Sequence, residues 1–294
     1  LATLLQQLLE TQYGYHIEPQ GLDAHPELDQ LRGVFLPASK RLLLSRHLTP
    51  IQRSFQYGKE LAFAWMQMEE RAYTSSLLKT KSFEEVLSHS RAIYFSVALH
   101  LPQRSIVRQL QDFFQKESWQ PAAFVDLMQG YDATPEMFYH RLTNILPRFF
   151  GIKKLFFLRF LHDSGRNQYE IDRELHLNHR HQPHGNGLAE HYCRRWLAIS
   201  ILQDLAQQQA EGSAPELLVA AQRSSYLATQ DQYLVLTLAR PDYPSPQRNV
   251  SVSIGMLLND HLKQQIRFWN DPAIKAHTVH TTCERCTMSD CSER

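Results

Sequence analysis

Lys154-Leu-Phe-Phe-Leu-Arg-Phe-Leu161, followed by the turn signal Asp163-Ser-Gly165 and by Asn167 to Leu175, is where this chain changes character. An eight-residue aromatic and aliphatic run, a turn and a second polar-apolar run read as two antiparallel strands. Upstream, the apolar residues recur at helical spacing instead. Leu1 to Gln12 is amphipathic, Pro50 to Leu78 carries Phe55, Leu61, Phe63, Trp65 and Met66, and Phe83 to Leu101 runs to a break at Pro102. Ser105 to Lys116 and Pro121 to Gln129 read as further helices, and Thr134-Pro-Glu136 as the cap of one that holds Phe138 to Leu146. Downstream, Tyr192 to Leu202, Ser224 to Thr229, Gln232 to Ala239 and Asn249 to Leu257 read as strands, with Gly185-Asn-Gly187 and Pro241 to Pro246 as loops. Gln203 to Glu216 reads as a helix or connector. The expected class is α+β: a helical domain over residues 1–150 packed on a largely antiparallel sheet domain over 151–294.

The bulk properties exclude several function classes. Of 294 residues, 43% are hydrophobic and 21% charged, an ordinary globular composition. Lys and Arg total 31 against 30 for Asp and Glu, so the net charge of +1 gives no global field to draw the chain onto nucleic acid or an anionic membrane. No apolar run approaches the roughly 20 residues of a membrane span, and no basic-then-apolar leader opens the chain. The expectation is a cytoplasmic protein without membrane contact, and the start at Leu1 suggests a fragment of something longer. No Gly-rich phosphate loop occurs, so nucleotide hydrolysis and dinucleotide binding lose support.

Three of the four cysteines crowd the end, as Cys283-Glu-Arg-Cys286-Thr-Met-Ser-Asp-Cys291, and the fourth is Cys193. A C-x2-C loop presents two sulfurs to one metal centre, a third can close over it, and a remote ligand completes the set. Four thiolates suit tetrahedral zinc or an iron-sulfur cluster. The spacing matches neither the Cys2His2 finger nor the paired C-x2-C ribbon and so leans towards iron-sulfur. Disulfides would need an oxidising compartment, and a thioredoxin-type redox pair would leave the third cysteine unexplained. His176, His179, His181, His184 and His191 precede Cys193, while His277 and His280 precede the tail run. They read first as a solvated loop and flanks, with His184 or His191 as a substitute ligand in second place.

Taken in order, Tyr94-Phe95 with Ala98-Leu-His-Leu-Pro102, Tyr139-His-Arg-Leu-Thr143, Phe156-Phe-Leu-Arg159 with Asp163-Ser-Gly-Arg-Asn167, Cys193-Arg-Arg-Trp196 and the terminal cysteine run resemble the short-chain fatty acyl transcriptional regulators. These are bacterial XRE-type helix-turn-helix regulators with an ImmA/IrrE-like middle region and a C-terminal sensing region. The resemblance runs from about Leu1 to the end and implies an effector-sensing fragment of a regulator of propionate- or acetate-type metabolism. It further implies coenzyme A or an acyl-CoA as effector, a 4Fe-4S cluster on Cys193, Cys283, Cys286 and Cys291, operator DNA bound through helices lying before Leu1, and a homodimer.

One departure bears on enzymology. ImmA/IrrE-type peptidases carry H-E-x-x-H on a helix, two His for zinc and a Glu as base. Here Gln52-Arg-Ser-Phe55 leads into Lys59-Glu60-Leu61-Ala62-Phe63, so only the Glu remains and a cation stands in a ligand position. The expectation is a chain that is not an enzyme. An acyl-CoA-using or zinc-dependent enzyme is the alternative, and nucleic-acid binding by a zinc module in the tail is a third reading with little basic charge to support it.

A coenzyme A site needs cations for phosphate, a π surface for adenine and an apolar pocket for the acyl chain. The candidates are Arg91, Tyr94 and Phe95 on one helix, with Arg104, Arg108, Arg141, Lys153, Lys154 and Arg159.

Overall fold

The computed structural model describes residues 1–28, 31–74, 81–166, 168–177, 190–213, 215–242 and 248–293. It is an α+β protein whose chain divides into two compact units, Leu1–Gln103 with Gly130–Thr134, and Arg104–Gln129 with Pro135–Arg294.

The first unit holds α1 (Ala2–Tyr13), α2 (Pro50–Trp65), α3 (Phe83–His100) and a small sheet of β1 (His16–Glu18), β2 (Gly33–Leu36) and β3 (Arg41–Leu44). β3 lies between the other two, parallel to β1 and antiparallel to β2. The sequence reading had this region as wholly helical, and strands of three and four residues are too short to declare a period. α1 closes at Gly14, whose φ of 69° suits the left-handed cap that glycine adopts freely. α2 opens on a capping box: the Thr49 hydroxyl accepts from the Gln52 amide at 3.3 Å, and Gln52 Oε1 accepts from the Thr49 amide at 3.1 Å. It ends at Trp65, well before the expected Leu78, and residues 75–80 lie outside the described set. Leu5, Leu9, Tyr15, Phe35, Leu42, Leu44, Tyr57 and Leu61 make the core.

The second unit contains α4 (Gln103–Phe114), α5 (Pro121–Gln129), α6 (Pro135–Phe149), α7 (Leu197–Ala210), the short α8 (Asp260–Gln265) and a six-stranded sheet. In sequence the strands are β4 (Leu155–Asp163), β5 (Gln168–His176), β6 (Leu218–Tyr226), β7 (Gln232–Pro241), β8 (Arg248–Leu257) and β9 (Lys275–Val279), and in space they run β5-β4-β8-β7-β6-β9. All neighbours are antiparallel except β6 and β9. The β4–β5 hairpin turns where expected, with Asp163 Oδ1 accepting from the Gly165 amide at 3.0 Å. α4, α5 and α6 thus belong with the sheet and not with the helices before them, so the division does not fall at residue 150. Their aromatic side chains explain this grouping: Phe124 packs on Phe113 at 5.4 Å and on Phe138 at 5.6 Å, and Phe268, from beyond β8, stacks on Phe113 at 5.3 Å.

Tyr192 to Leu202 is not a strand. Tyr192 makes one isolated bridge to Thr282, and α7 begins at Leu197. The run Trp196-Leu-Ala-Ile-Ser-Ile-Leu202 is apolar on every side because the helix is buried, with Leu197, Ala198, Ile199, Ile201, Leu202 and Leu205 all inside. A buried helix and a buried strand look alike over so short a stretch. α7 covers the sheet face made by Phe156, Leu158, Phe160, Tyr233, Val235 and Leu257. No helix among the described residues is long and apolar enough to cross a membrane.

Candidate metal centre

The segment leading into α7 and the tail after β9 lie side by side. The Cys193 amide donates to the Thr281 carbonyl at 3.3 Å and the Cys283 amide to the His191 carbonyl at 2.9 Å, flanking the Tyr192–Thr282 bridge. This short antiparallel ladder places Cys193 beside Cys283. A turn closed by the Cys286 amide on the Cys283 carbonyl, at 3.2 Å, then brings the second sulfur of the C-x2-C loop round. Cys193, Cys283, Cys286 and Cys291 line one hollow of about 350 Å³, open to solvent, together with Arg194, Arg195, His280 and Met288. All four are free thiols. Among the described residues, no group of three or more His, Cys, Asp or Glu side chains is arranged to hold a metal ion.

Cys193 is the buried member. Burial pushes its thiol up, the neighbouring Cys283 and Cys286 push it the same way, and backbone N–H groups of His280 and Arg195 oppose the shift by favouring the thiolate. The His280 amide lies 3.5 Å from Cys193 Sγ. Backbone donors on a sulfur surrounded by other sulfurs are what a coordinated thiolate needs, since they stabilise its charge without competing for the metal. The wall carries mixed charge: Arg195 Nη1 reaches Met288 Sδ at 3.0 Å, the Arg194 guanidinium lies 4.7 Å from the centre of the Tyr169 ring, and Glu293 also lines the hollow.

The two residues inside the C-x2-C loop anchor it. Glu284 accepts from the His191 amide at 2.9 Å and meets His191 Nδ1 at 2.7 Å, and Arg285 reaches Glu190 with Nε and Nη2 at 2.9 and 2.8 Å. Sequence reasoning missed this docking, although two opposite charges between two cysteines were its visible trace. His191 itself does not line the hollow, and its Nδ1 is engaged by Glu284. His280 lines the hollow, whereas His179, His181 and His184 lie outside the described residues.

The residues named for coenzyme A are divided between the two units. Arg91, Tyr94 and Phe95 sit on α3 in the first unit, while Arg104, Arg141, Lys154 and Arg159 belong to the second. Arg91 is exposed beside Glu84, and Phe95 packs on Trp65 at 5.6 Å. Arg104, Arg108, Lys153 and Lys154 are exposed. Arg141 and Arg159 are buried, and Arg159 is surrounded by Glu136, Asp172 and Asp242, so its guanidinium is committed to carboxylates and cannot serve a phosphate.

On α2, the Lys59-Glu60-Leu-Ala-Phe63 stretch is buried. Glu60 binds Arg71 Nη2 at 2.7 and 2.8 Å and accepts from the Tyr15 hydroxyl at 3.2 Å, while the same guanidinium lies 3.9 Å from the centre of the Phe63 ring. A guanidinium therefore contacts both the surviving acid and the aromatic ring that stands in a ligand position. Burial and the Glu60 charge hold the Tyr15 hydroxyl well above its ordinary range. The expected result for Glu60→Gln is a loss of stability of about 1–3 kcal/mol, from a buried charge left without its partner, with no change in metal content. Urea unfolding beside metal analysis checks both.

Residues 17–143 match the family model of the IrrE N-terminal-like domain of M78 peptidases. That match covers less than half of the chain and contains the altered Lys59–Phe63 stretch. Over the whole chain the fold is similar to a Mycobacterium tuberculosis transcriptional regulator, with a TM-score of 0.64 and 20% identity, covering 100% of this chain and 82% of that one. At this identity the likeness is one of fold. Among curated proteins none matches the chain.

Proposed function

We propose that this chain is the sensing part of a bacterial transcriptional regulator, and that its sensing device is a thiolate-bound centre held by Cys193, Cys283, Cys286 and Cys291. One observation carries the reading: four free thiols from two segments far apart in sequence line a single hollow. The regulatory role draws on the similarity to a M. tuberculosis protein of that description and on the family resemblance. The altered peptidase motif argues against zinc-dependent proteolysis by this domain.

A 4Fe-4S cluster fits this donor set better than zinc. The C-x2-C-x4-C spacing with one remote cysteine, which matches neither common structural zinc pattern, and the family resemblance favour the cluster. Such a cluster would supply an oxidation-sensitive charge at this position. The chain's own part is mechanical and electrostatic: backbone amides of Arg195 and His280 favour the Cys193 thiolate, and the Glu284 and Arg285 contacts hold the loop. A centre bound only by the folded arrangement stabilises that arrangement, so its loss frees the tail.

The effector, the operator DNA and the homodimer implied by the resemblance belong to the same proposal. The exposed cations Arg91, Arg104, Arg108, Lys153 and Lys154 are the candidates left for coenzyme A phosphates, and calorimetric titration with coenzyme A and propionyl-CoA tests that part separately.

The deciding experiment is an anaerobic visible spectrum with iron, sulfide and zinc analysis, wild type beside Cys286→Ser. A broad band near ~400 nm with matching iron and sulfide, lost in the variant, is the expected result. One zinc and no colour would make the centre structural. Absence of any metal after anaerobic purification would overturn the proposal.

A further inference from the structure

β2 is a terminal strand of the small three-stranded sheet, so one of its edges is not paired within that sheet. The segment Arg71-Ala-Tyr-Thr74, which follows α2, lies along that edge. The Phe35 amide donates to the Tyr73 carbonyl at 2.8 Å, and Val34 and Thr74 form an isolated antiparallel bridge. Main-chain pairing of a short segment with a sheet edge, joined to a pocket for one side chain, is a recurring mode of peptide recognition.

The side chain that enters here is Arg71. Its guanidinium lies 3.9 Å from the centre of the Phe63 ring, 4.6 Å from that of Phe35 and 5.7 Å from that of Tyr73. Nη2 donates to both oxygens of Glu60, at 2.7 and 2.8 Å. Tyr15 supports the arrangement from behind, donating its hydroxyl to Glu60 at 3.2 Å and stacking on Phe35 at 4.8 Å. The Arg71 and Glu60 side chains are only 7% and 9% exposed. Of the groups around the guanidinium, Phe63 and Glu60 come from α2 and Phe35 from β2; Tyr73 alone belongs to the segment that brings the cation.

Three aromatic faces and a carboxylate select a flat cation. Rings attract positive charge through their quadrupoles, and a guanidinium stacks on them while it donates to an acid, which the compact ammonium of lysine does less well. A neutral guest would leave Glu60 as a buried charge without its partner. The contacts of the segment are those an unconnected peptide makes: a main-chain hydrogen bond to an edge, a bridge and a side chain in a cage. None of them uses the covalent link to α2, and the Arg71 Nε bond, to the Ala72 carbonyl at 3.4 Å, lies within the segment itself.

We infer that the cage formed by β2 and α2 is a binding site for an arginine side chain carried on a short peptide of another protein, and that Arg71–Thr74 is a built-in occupant that holds it closed. The tether gives the built-in segment an effective concentration of roughly millimolar order, which a competing peptide has to exceed. This site does not depend on the cysteine centre.

The test titrates the full chain, labelled with nitrogen-15, with a peptide of the sequence Glu70–Thr74 and reads dissociation constants from the shifted amide signals. Arg71→Ala, which empties the cage, should bind the peptide at least about tenfold more tightly than wild type. Peptides with lysine or citrulline in place of arginine should bind Arg71→Ala at least about tenfold more weakly, since lysine lacks the flat face and citrulline the charge. Adding Glu60→Gln to Arg71→Ala should abolish the preference for arginine over citrulline. Should Arg71→Ala not fold, Arg71→Gln, whose amide can keep a hydrogen bond on Glu60 without the charge, gives the same comparison. Equal binding to wild type and to the emptied variant would place the peptide elsewhere and overturn the proposal. A citrulline peptide that binds as well as the arginine one, or an emptied variant that binds neither at several millimolar peptide, would overturn it too.

Discussion

Replacing Arg159 by Ala is expected to destabilise the protein by about 3–5 kcal/mol, the range for breaking a buried charge network by removing one member. Arg159 lies on β4 and is almost wholly enclosed. Its guanidinium reaches Glu136 of α6 at 3.5 Å, Asp172 of β5 through a short contact, and Asp242 just after β7 at 3.3 Å. Arg240 shares Glu136 at 2.6 Å and Arg248 shares Asp242 at 3.3 Å. Three arginines thus balance three carboxylates, and only Arg159 touches all three acids. Asp172 depends on it most: burial pushes its carboxyl up, and Arg159 is the first of the influences that bring it back down. Without Arg159, Asp172 binds a proton more readily in the folded chain than in the unfolded one. A group of that kind loses its stabilising contribution as pH rises, so the deficit of Arg159→Ala should be smaller near pH 5 than at neutrality. Urea midpoints of wild type, Arg159→Ala and Arg159→Met with Asp172→Asn, at both pH values, check this. The double variant removes a matched pair and should recover part of the loss. A single-variant loss below about 1 kcal/mol would show that the network does not depend on Arg159.

The same residue marks how far the sequence could be read. Phe156-Phe-Leu-Arg159 announces a buried strand, and the hairpin, its turn and most of the helices were legible because caps and periods are local signals. Arg159 was legible as a cation but not as a buried one. Its three partners come from α6, β5 and the end of β7, and only the folded topology brings them to β4. That is why it looked available for a phosphate. α7 was misread for the opposite reason: its burial erased the polar face that would have shown the helical period. The cysteines were the part of the site that spacing could foresee, since three lie within one short run. What spacing could not show was the docking of Glu284 on His191 and Arg285 on Glu190.

Replacing Cys193 by Ser should release the tail while leaving the sheet in place. Without a bound centre, the attachment of residues 280–291 rests on the Tyr192–Thr282 bridge with its two flanking amide bonds, the Glu284 contacts with His191, the Arg285–Glu190 pair and Arg195 on Met288. Exposed pairs contribute roughly 0–1 kcal/mol each and weaken with salt. A few hydrogen bonds at the edge of a sheet open readily. A metal centre joining Cys193 to Cys283, Cys286 and Cys291 would add several kcal/mol to the closed state and close the long chain segment between them. Hydrogen exchange of the anaerobic protein should therefore show the Cys283 and Cys286 amides, which donate to the His191 and Cys283 carbonyls, protected in wild type and at least about a hundredfold less protected in Cys193→Ser, a change of about 2.7 kcal/mol in local opening. Protection in β7 and β8, buried at the centre of the sheet, should not move. Arg285→Ala is the control, since loss of one exposed pair should change the same amides only a few-fold. If Arg285→Ala opened the tail as far as Cys193→Ser does, the tail would be held by its charges. If neither variant opened it, the backbone ladder alone would suffice and the sulfurs would carry no structural duty. Opening confined to the cysteine variant would mean that whatever the four thiols bind governs a segment continuous with β9, the parallel edge strand on β6. Such a segment is suited to a sensor's output, because it can leave the edge of the sheet without breaking the core.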